Sequence, residues 1–210
     1  MAESKRRGVF ICLEGIDGSG KTTQAHRLVK TLTRMGYDAV YTTEPSAGIY
    51  GRIIRKHILH GDKRVPAVVE AVLFAVDRID HVQNEIQPLL DRGKIVVSDR
   101  YVYSSIAYQG AAHLDIQWIK AINSNAIIPD FVVYIDVSPE AVTSRIQRRK
   151  SVMETLQTQN RVRKLYLKLV EKEQLAMVYG SASMNEVAQA ILNMVLKFLK
   201  SAGLSADHPA

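Results

Sequence analysis

Gly15-Ile16-Asp17-Gly18-Ser19-Gly20-Lys21-Thr22 fits the pattern G-x4-G-K-[ST]. Before it, residues 8–14 form an apolar run that reads as a buried strand. After it, residues 21–35 read as a helix, with Gly36 where a glycine C-cap is expected. Strand, glycine-rich turn and helix in that order are the context the pattern requires. The glycines let the backbone wrap around phosphate oxygens with its N–H groups inward, and the helix N-terminus adds its dipole. Lys21 can then reach the β- and γ-phosphates, and the Thr22 hydroxyl can ligate Mg²⁺. The eight residues are predicted to hold a nucleoside triphosphate.

Working outward, strands and helices alternate along the chain. Further strands are predicted over 38–42, 94–98, 131–137 and 175–179. Helices are predicted over 49–59, from Pro66 to about 91, and over 101–109, 115–125 and 184–199. Gly61-Asp62 is read as a break, and Ser138-Pro139-Glu140 as an N-cap, a first-turn proline and a dipole-complementing acid. Nearly continuous apolar strands between helices indicate a parallel sheet covered on both faces. No internal repeat or linker divides the chain, so residues 1–210 are expected to form one domain, with loose tails at 1–7 and 201–210.

Composition narrows the function. At 210 residues, 47% hydrophobic and 23% charged, the chain can bury a real core. The single cysteine, Cys12, sits in an apolar run and cannot form an intramolecular disulfide or a cysteine zinc cluster. No apolar stretch is long enough to span a membrane, and the run after Lys5-Arg6-Arg7 stops at Glu14, too short for a signal peptide. A soluble, cytoplasmic protein is expected. The net charge of +7 is local: residues 145–168 hold eight Lys or Arg against one acid, Glu154, and the rest of the chain is neutral. Such a segment suits either a nucleic-acid surface or a lid over phosphates. His57 and His60, three residues apart, lack a third metal ligand and read as surface residues. Trp118 reads as core or subunit contact.

A phosphate loop leaves the fate of the γ-phosphate open. The N-K-x-D element of guanine-specific GTPases is absent, and a small kinase needs a second site for its acceptor. The third strand runs into Asp99-Arg100-Tyr101. An Asp at that strand end is placed to hold Mg²⁺, and the next Arg to grip a phosphate bidentately. A plain Asp–Arg ion pair explains the dipeptide equally well. If the following segment is helical, Arg100, Ser104 and Tyr108 share a face. Glu70, Phe74 and Arg78 likewise lie one turn apart on the long helix.

Asp99, Arg100, Tyr101, Ser104, Ala107, Tyr108 and Gln109 match the signature D-R-[YFH]-x-x-S-x-x-A-[YF]-[QS], and with it the chain resembles the thymidylate kinases. Leu13-Glu14-Gly15, the Asp17-Gly18 pair and Leu73-Phe74-Ala75-Val76-Asp77-Arg78 are also similar to that family's, and the resemblance runs from about residue 8 to 199. It implies a P-loop NTPase of α/β class, a doubly wound sheet of five parallel strands in order 2-3-1-4-5 with a basic lid at about 145–160. The implied reaction is ATP + dTMP → ADP + dTDP with Mg²⁺, in a homodimer built on the apolar long helix. By resemblance, Phe74 stacks on thymine and Arg78 bonds its O4. Arg100 holds the acceptor phosphate, Ser105 lies near N3, and Tyr108 packs against the deoxyribose. Gln109 completes the substrate set, and Asp17 lies between the two nucleotides. Thr22 and Asp99 are the implied metal ligands.

Two departures from the family stand out. Thr43 occupies the place where arginine is common in the T-R-E-P-like turn Thr42-Thr43-Glu44-Pro45, leaving Glu44 as a substrate-site residue without that partner. The phosphate loop carries no arginine, so a catalytic cation must come from the lid, which offers Arg145, Arg148, Arg149 and Lys150. Arg149 is the choice, alongside Lys21, Asp17 and Arg100. The basic segment is then assigned to ATP, with no nucleic acid as partner. The rival readings are another small P-loop kinase, such as a deoxynucleoside kinase, and a non-catalytic nucleotide-binding protein.

Overall fold

The computed structural model describes residues 8–59, 65–145, 156–172 and 174–204. Residues 146–155 of the basic segment lie outside them, Arg148, Arg149, Lys150 and Glu154 included. So do His60, Gly61-Asp62, residues 1–7 and residues 205–210.

Five strands, β1 (Val9–Glu14), β2 (Ala39–Thr43), β3 (Ile95–Asp99), β4 (Phe131–Asp136) and β5 (Ala176–Tyr179), form one parallel sheet in the order β2-β3-β1-β4-β5. Every residue of β1 and β3 is buried, as strands covered on both faces must be. The helices are α1 (Lys21–Arg34), α2 (Ile49–Ile54), α3 (Ala67–His81), α4 (Gln87–Asp91), α5 (Val102–Ala111), α6 (Ile116–Ile122), α7 (Pro139–Arg145), α8 (Leu156–Glu171) and α9 (Met184–Ser201). α1 packs on β2, β3 and α9, whereas α5 packs between α3 and α8.

Local chemistry explains the boundaries. α1 buries Gln24, Ala25, Leu28 and Leu32 at helical spacing, and Gly36 follows at φ 89°, the left-handed geometry of a C-cap glycine. Ser138 Oγ accepts from the Ala141 amide at 3.2 Å, capping α7 as its sequence indicates. α9 opens with a reciprocal Ser183–Glu186 capping box and buries Val187, Ile191, Val195 and Leu199. Trp118 is half-buried against the core.

The expected long helix differs in one respect. α3 and α4 are joined by a π-helical turn, Val82–Ile86, just ahead of Pro88. Proline supplies no N–H for the regular ladder, and the wider turn accommodates it. The helix predicted over 49–59 changes in the same way, with α2 passing into a π-helical turn at Arg55–Leu59.

The sheet positions the chemistry. Pairing aligns Leu13 of β1 with Asp99 of β3, and Asp99 with Thr43 of β2. Glu14, Glu44, Asp99 and Asp136 therefore cluster where the strands end, beside the point where the strand order reverses. That is the ligand position of an open α/β sheet.

Candidate functional site

The turn between β1 and α1 has the conformation its glycines predict, with Gly15, Gly18 and Gly20 at φ 158°, 76° and 93°. Lys21 folds back over it: its Nζ donates to the Ile16 carbonyl at 2.7 Å and lies 3.5 Å from Ser19 Oγ. Burial, aided by nearby Arg100, lowers its pKa to about 8 against the pull of Asp99, Asp17 and Glu14.

Asp99 does not pair with Arg100. It accepts a short hydrogen bond from the Thr22 hydroxyl through Oδ2, while Oδ1 is buried with no hydrogen-bond partner among the described residues. A hydroxyl and a carboxylate with an idle buried oxygen are the hard oxygen donors that suit Mg²⁺, so the residues fit the metal.

Arg100 pairs with Asp17 instead. Nη2 donates to Asp17 Oδ1 and lies 3.3 Å from the Tyr108 hydroxyl, and Nη1 reaches the Gly15 carbonyl (3.2 Å) and Ser104 Oγ (3.0 Å). Its guanidinium carbon lies 5.0 Å from the Tyr108 ring centroid. The expected shared face of Arg100, Ser104 and Tyr108 is thus present. Tyr108 donates to Asp17 Oδ2 at 2.9 Å and accepts from the Asp17 amide at 3.0 Å. Burial would push the Asp17 carboxyl up, but Arg100 and Lys21 outweigh it and hold it below its ordinary value.

Arg100 takes φ 72°, a left-handed conformation rare without glycine. Its amide bonds back to the Leu13 carbonyl at 3.0 Å, and the next turn is caught by Glu14. Glu14 Oε1 accepts from the Tyr101 and Ser104 amides (2.9 and 3.2 Å), and Oε2 accepts from the Ser104 and Tyr166 hydroxyls (2.7 and 2.8 Å). A carboxylate from β1 therefore caps α5. Burial raises the Glu14 pKa, with the Ser104 hydroxyl and Arg100 acting against the rise.

The second half of the site lies between α3 and α5. Arg78 is 1% exposed, its Cζ 5.1 Å from the Tyr101 ring centroid. Nη2 meets Glu44 Oε2 at 2.5 Å, and Nη1 donates to Ser105 Oγ at 3.1 Å and to Asn123 Oδ1. Three of its five N–H groups are thus committed to protein, and Nε is buried without a partner among the described residues. Gln109 Nε2 donates to Glu70 Oε1 at 3.2 Å, both side chains buried. Thr43, in place of the family's arginine, donates to the Asp99 carbonyl at 3.1 Å.

These groups converge. Glu44, Phe74, Arg78, Ser105, Tyr108 and Gln109 line one cleft with Asp17, Arg100 and Ser104, open to solvent at its mouth. An ion pair built on the phosphate loop stands at one end, and an aromatic ring with a buried arginine at the other. The cleft fits an anionic group joined to a flat polar ring, next to a nucleotide triphosphate site.

A family model described as thymidylate kinase matches residues 13–191. The chain belongs to the thymidylate kinase family. It is 40% identical over 199 residues to a probable thymidylate kinase of Thermococcus gammatolerans, covering 90% of this chain and 96% of that protein. The probable thymidylate kinase of Pyrococcus abyssi is 41% identical over 197 residues (90% and 96%), and that of Pyrobaculum aerophilum 40% over 194 (91% and 98%). The enzyme is a nucleoside monophosphate kinase that phosphorylates dTMP, and this reading is favoured over a deoxynucleoside kinase or a non-catalytic binder. No helix among the described residues is long and apolar enough to cross a membrane, and none of their His, Cys, Asp and Glu side chains form a group of three fit for a metal.

Several site residues escaped the sequence reading. Asp77 accepts from the Ser46 amide (2.8 Å) and hydroxyl (2.6 Å), fastening the turn after β2. Arg55 donates to the Ser46 carbonyl at 2.5 Å and to that of Pro45. From α8, Gln159 donates to Asp17 (3.2 Å), Arg163 holds both oxygens of Asp136 (2.8 Å each), and Tyr166 reaches Glu14. Asp77 lay within the quoted helix motif, and a helical wheel through Arg78 would have caught His81, whose Nδ1 lies 3.3 Å from Glu44 Oε1. Asn123, Arg55 and the α8 residues carry no local signal.

Proposed function

We propose that the cleft binds dTMP with its phosphate on Arg100 and its base between Phe74 and Arg78, and that the phosphate loop Gly15 to Thr22 holds ATP. Asp17 bridges the two nucleotides, Ser105 and Gln109 flank the base, and Tyr108 closes the sugar side. The observation that carries this reading is the single cleft joining the Arg100–Asp17 pair to the Arg78–Phe74 end. Thr22 and Asp99 would hold Mg²⁺, which when bound neutralises charge on the phosphates. Lys21 steadies the transferred group, and the rest of catalysis is positioning. Arg149, in the basic lid, supplies the remaining cation in this reading, and the segment serves ATP and not nucleic acid. The chain then works as one kinase domain in the cytoplasm, where a buried unpaired Cys12 is at home. Val68, Val69 and Val72 on α3 are exposed beside Ile49, Tyr50 and Ile53 of α2, which supports a homodimer through this face.

ADP release measured over monophosphates tests the assignment. If Arg78 donates to O4, the amino group of cytosine sets donor against donor, a loss of about 1–3 kcal/mol when buried. Uracil lacks only a methyl, worth on the order of 0.8 kcal/mol by transfer. The expected order in kcat/KM is dTMP > dUMP ≫ dCMP. Turnover of dCMP equal to that of dTMP would place the base elsewhere, and faster turnover of thymidine than of dTMP would favour a deoxynucleoside kinase.

A further inference from the structure

Asp77, Arg78 and His81 occupy the buried side of the last turns of α3, and all three hold the segment from Thr42 to Ser46. Asp77 and Arg78 have evident tasks, on Ser46 and on the base-facing end of the cleft. His81 does not line the cleft, yet its side chain is fully buried. Its Nδ1 lies 3.3 Å from Glu44 Oε1, and its Nε2 lies 2.6 Å from Thr42 Oγ1 and 3.7 Å from Glu85 Oε2. Glu44 is therefore gripped on both oxygens, by Arg78 on Oε2 and by His81 on Oε1, with its side chain 3% exposed.

The charges alternate along this chain of contacts: Arg78, Glu44, His81, Glu85. Burial alone would favour neutral imidazole, but the carboxylates of Glu44 and Glu85 raise the His81 pKa to about 9, so at neutral pH both ring nitrogens donate, Nδ1 to Glu44 and Nε2 to Thr42. A guanidinium is planar, and its three protein bonds, to Glu44, Ser105 and Asn123, set the plane in which its remaining N–H groups point. Glu44 is the one charged member of that set. A carboxylate held on a single oxygen can pivot about its terminal torsion, and one held on both cannot.

We propose that His81 is a positioning residue for pyrimidine recognition: it fixes Glu44, Glu44 fixes the plane of Arg78, and the donors offered to position 4 of the base follow. This rests on the reading that places the base between Phe74 and Arg78. Phosphoryl transfer takes place at the other end of the cleft, so acceptor affinity and base choice should respond to His81 while turnover and ATP binding do not.

Steady-state kinetics on His81→Leu, His81→Gln and Arg78→Lys, with dTMP and dCMP as acceptors, test it. His81→Leu should raise KM for dTMP about tenfold and narrow the dTMP-to-dCMP ratio of kcat/KM by a similar factor. Its kcat and KM for ATP should stay within about threefold of wild type. His81→Gln retains an N–H for Glu44 and should recover most of the loss. Arg78→Lys keeps the charge but loses the planar fork, and should narrow the same ratio. If Arg78→Lys narrows the ratio and both His81 variants leave it unchanged, His81 takes no part in recognition. A parallel loss in kcat and in KM for ATP would show a merely structural role and overturn the proposal. If no variant moves the ratio, the placement of the base is what fails. Should His81→Leu not fold, His81→Gln carries the comparison, with a shift of about threefold in KM for dTMP expected and none overturning the proposal.

Discussion

Replacing Glu14 separates the charge of a buried carboxylate from its capacity to accept hydrogen bonds. Glu14 is 0% exposed and accepts four bonds, two from the amides of Tyr101 and Ser104 at the start of α5 and two from the Ser104 and Tyr166 hydroxyls. In Glu14→Gln the amide oxygen can keep the two N–H donors on the Oε1 side. Its NH₂ then faces two hydroxyls, each of which can turn and accept. Burial already raises the Glu14 pKa, so removing the charge relieves desolvation while the shape is kept. A change in stability of about 1 kcal/mol is expected. Glu14→Ala leaves the Tyr101 amide and one of the two hydroxyls without an acceptor, since the Ser104 amide also reaches the Tyr101 carbonyl at 3.0 Å and the Ser104 and Tyr166 hydroxyls lie 3.0 Å apart; each orphan costs about 1–3 kcal/mol before relaxation. A loss of about 2–6 kcal/mol is expected, a large part of the 5–15 kcal/mol typical of a domain. Because α5 carries Ser105, Tyr108 and Gln109, KM for dTMP should rise tenfold or more in the Ala variant and stay within a few-fold in the Gln variant. Urea unfolding at one protein concentration, with linear extrapolation, gives the stabilities. Equal loss in the two variants would mean that the charge and not the acceptor set holds α5, and an Ala variant within 1 kcal/mol of wild type would refute the cap altogether.

Two further outcomes follow from contacts around the same cleft. A Cβ on Gly51 would lie 2.0 Å from the Ser46 carbonyl oxygen and 2.6 Å from its nitrogen, all backbone; Gly51→Ala should lose about 1–3 kcal/mol despite the better helix former, and raise KM for dTMP, whereas a stabilised variant with normal KM would show that α2 can shift freely. For His81, a native pKa raised from 6.5 to about 9 means that the folded state binds the proton more tightly. Its contribution is complete below about pH 6.5 and disappears as pH rises through about 9, with a ceiling of about 3 kcal/mol. The stability gap between wild type and His81→Gln should therefore shrink over that window, and a gap constant with pH would show that His81 is not held as an imidazolium.

Through its resemblance to the family the sequence implied the strand order; by itself it determined the parallel sheet, the phosphate loop, and the two helical faces that build the cleft. Each of these is written in a short window. Glycine spacing sets the loop, apolar runs set the strands, and a four-residue repeat aligns Arg100 with Ser104 and Tyr108, and Glu70 with Phe74 and Arg78. For Asp99 beside Arg100 the spacing left an ion pair and separate metal and phosphate roles equally open, and only the fold sent Asp99 to Thr22 and Arg100 to Asp17, across separations of 77 and 83 residues. The same holds for the groups that fix these side chains in place. Tyr166 reaches Glu14 across 152 residues, Gln159 reaches Asp17 across 142, and Asn123 reaches Arg78 across 45. A lone Asn, Gln or Tyr on a helix has no periodicity that marks its partner. Burial creates the demand for one, because a polar group removed from water must be satisfied, and which group answers depends on how the layers come together around the sheet.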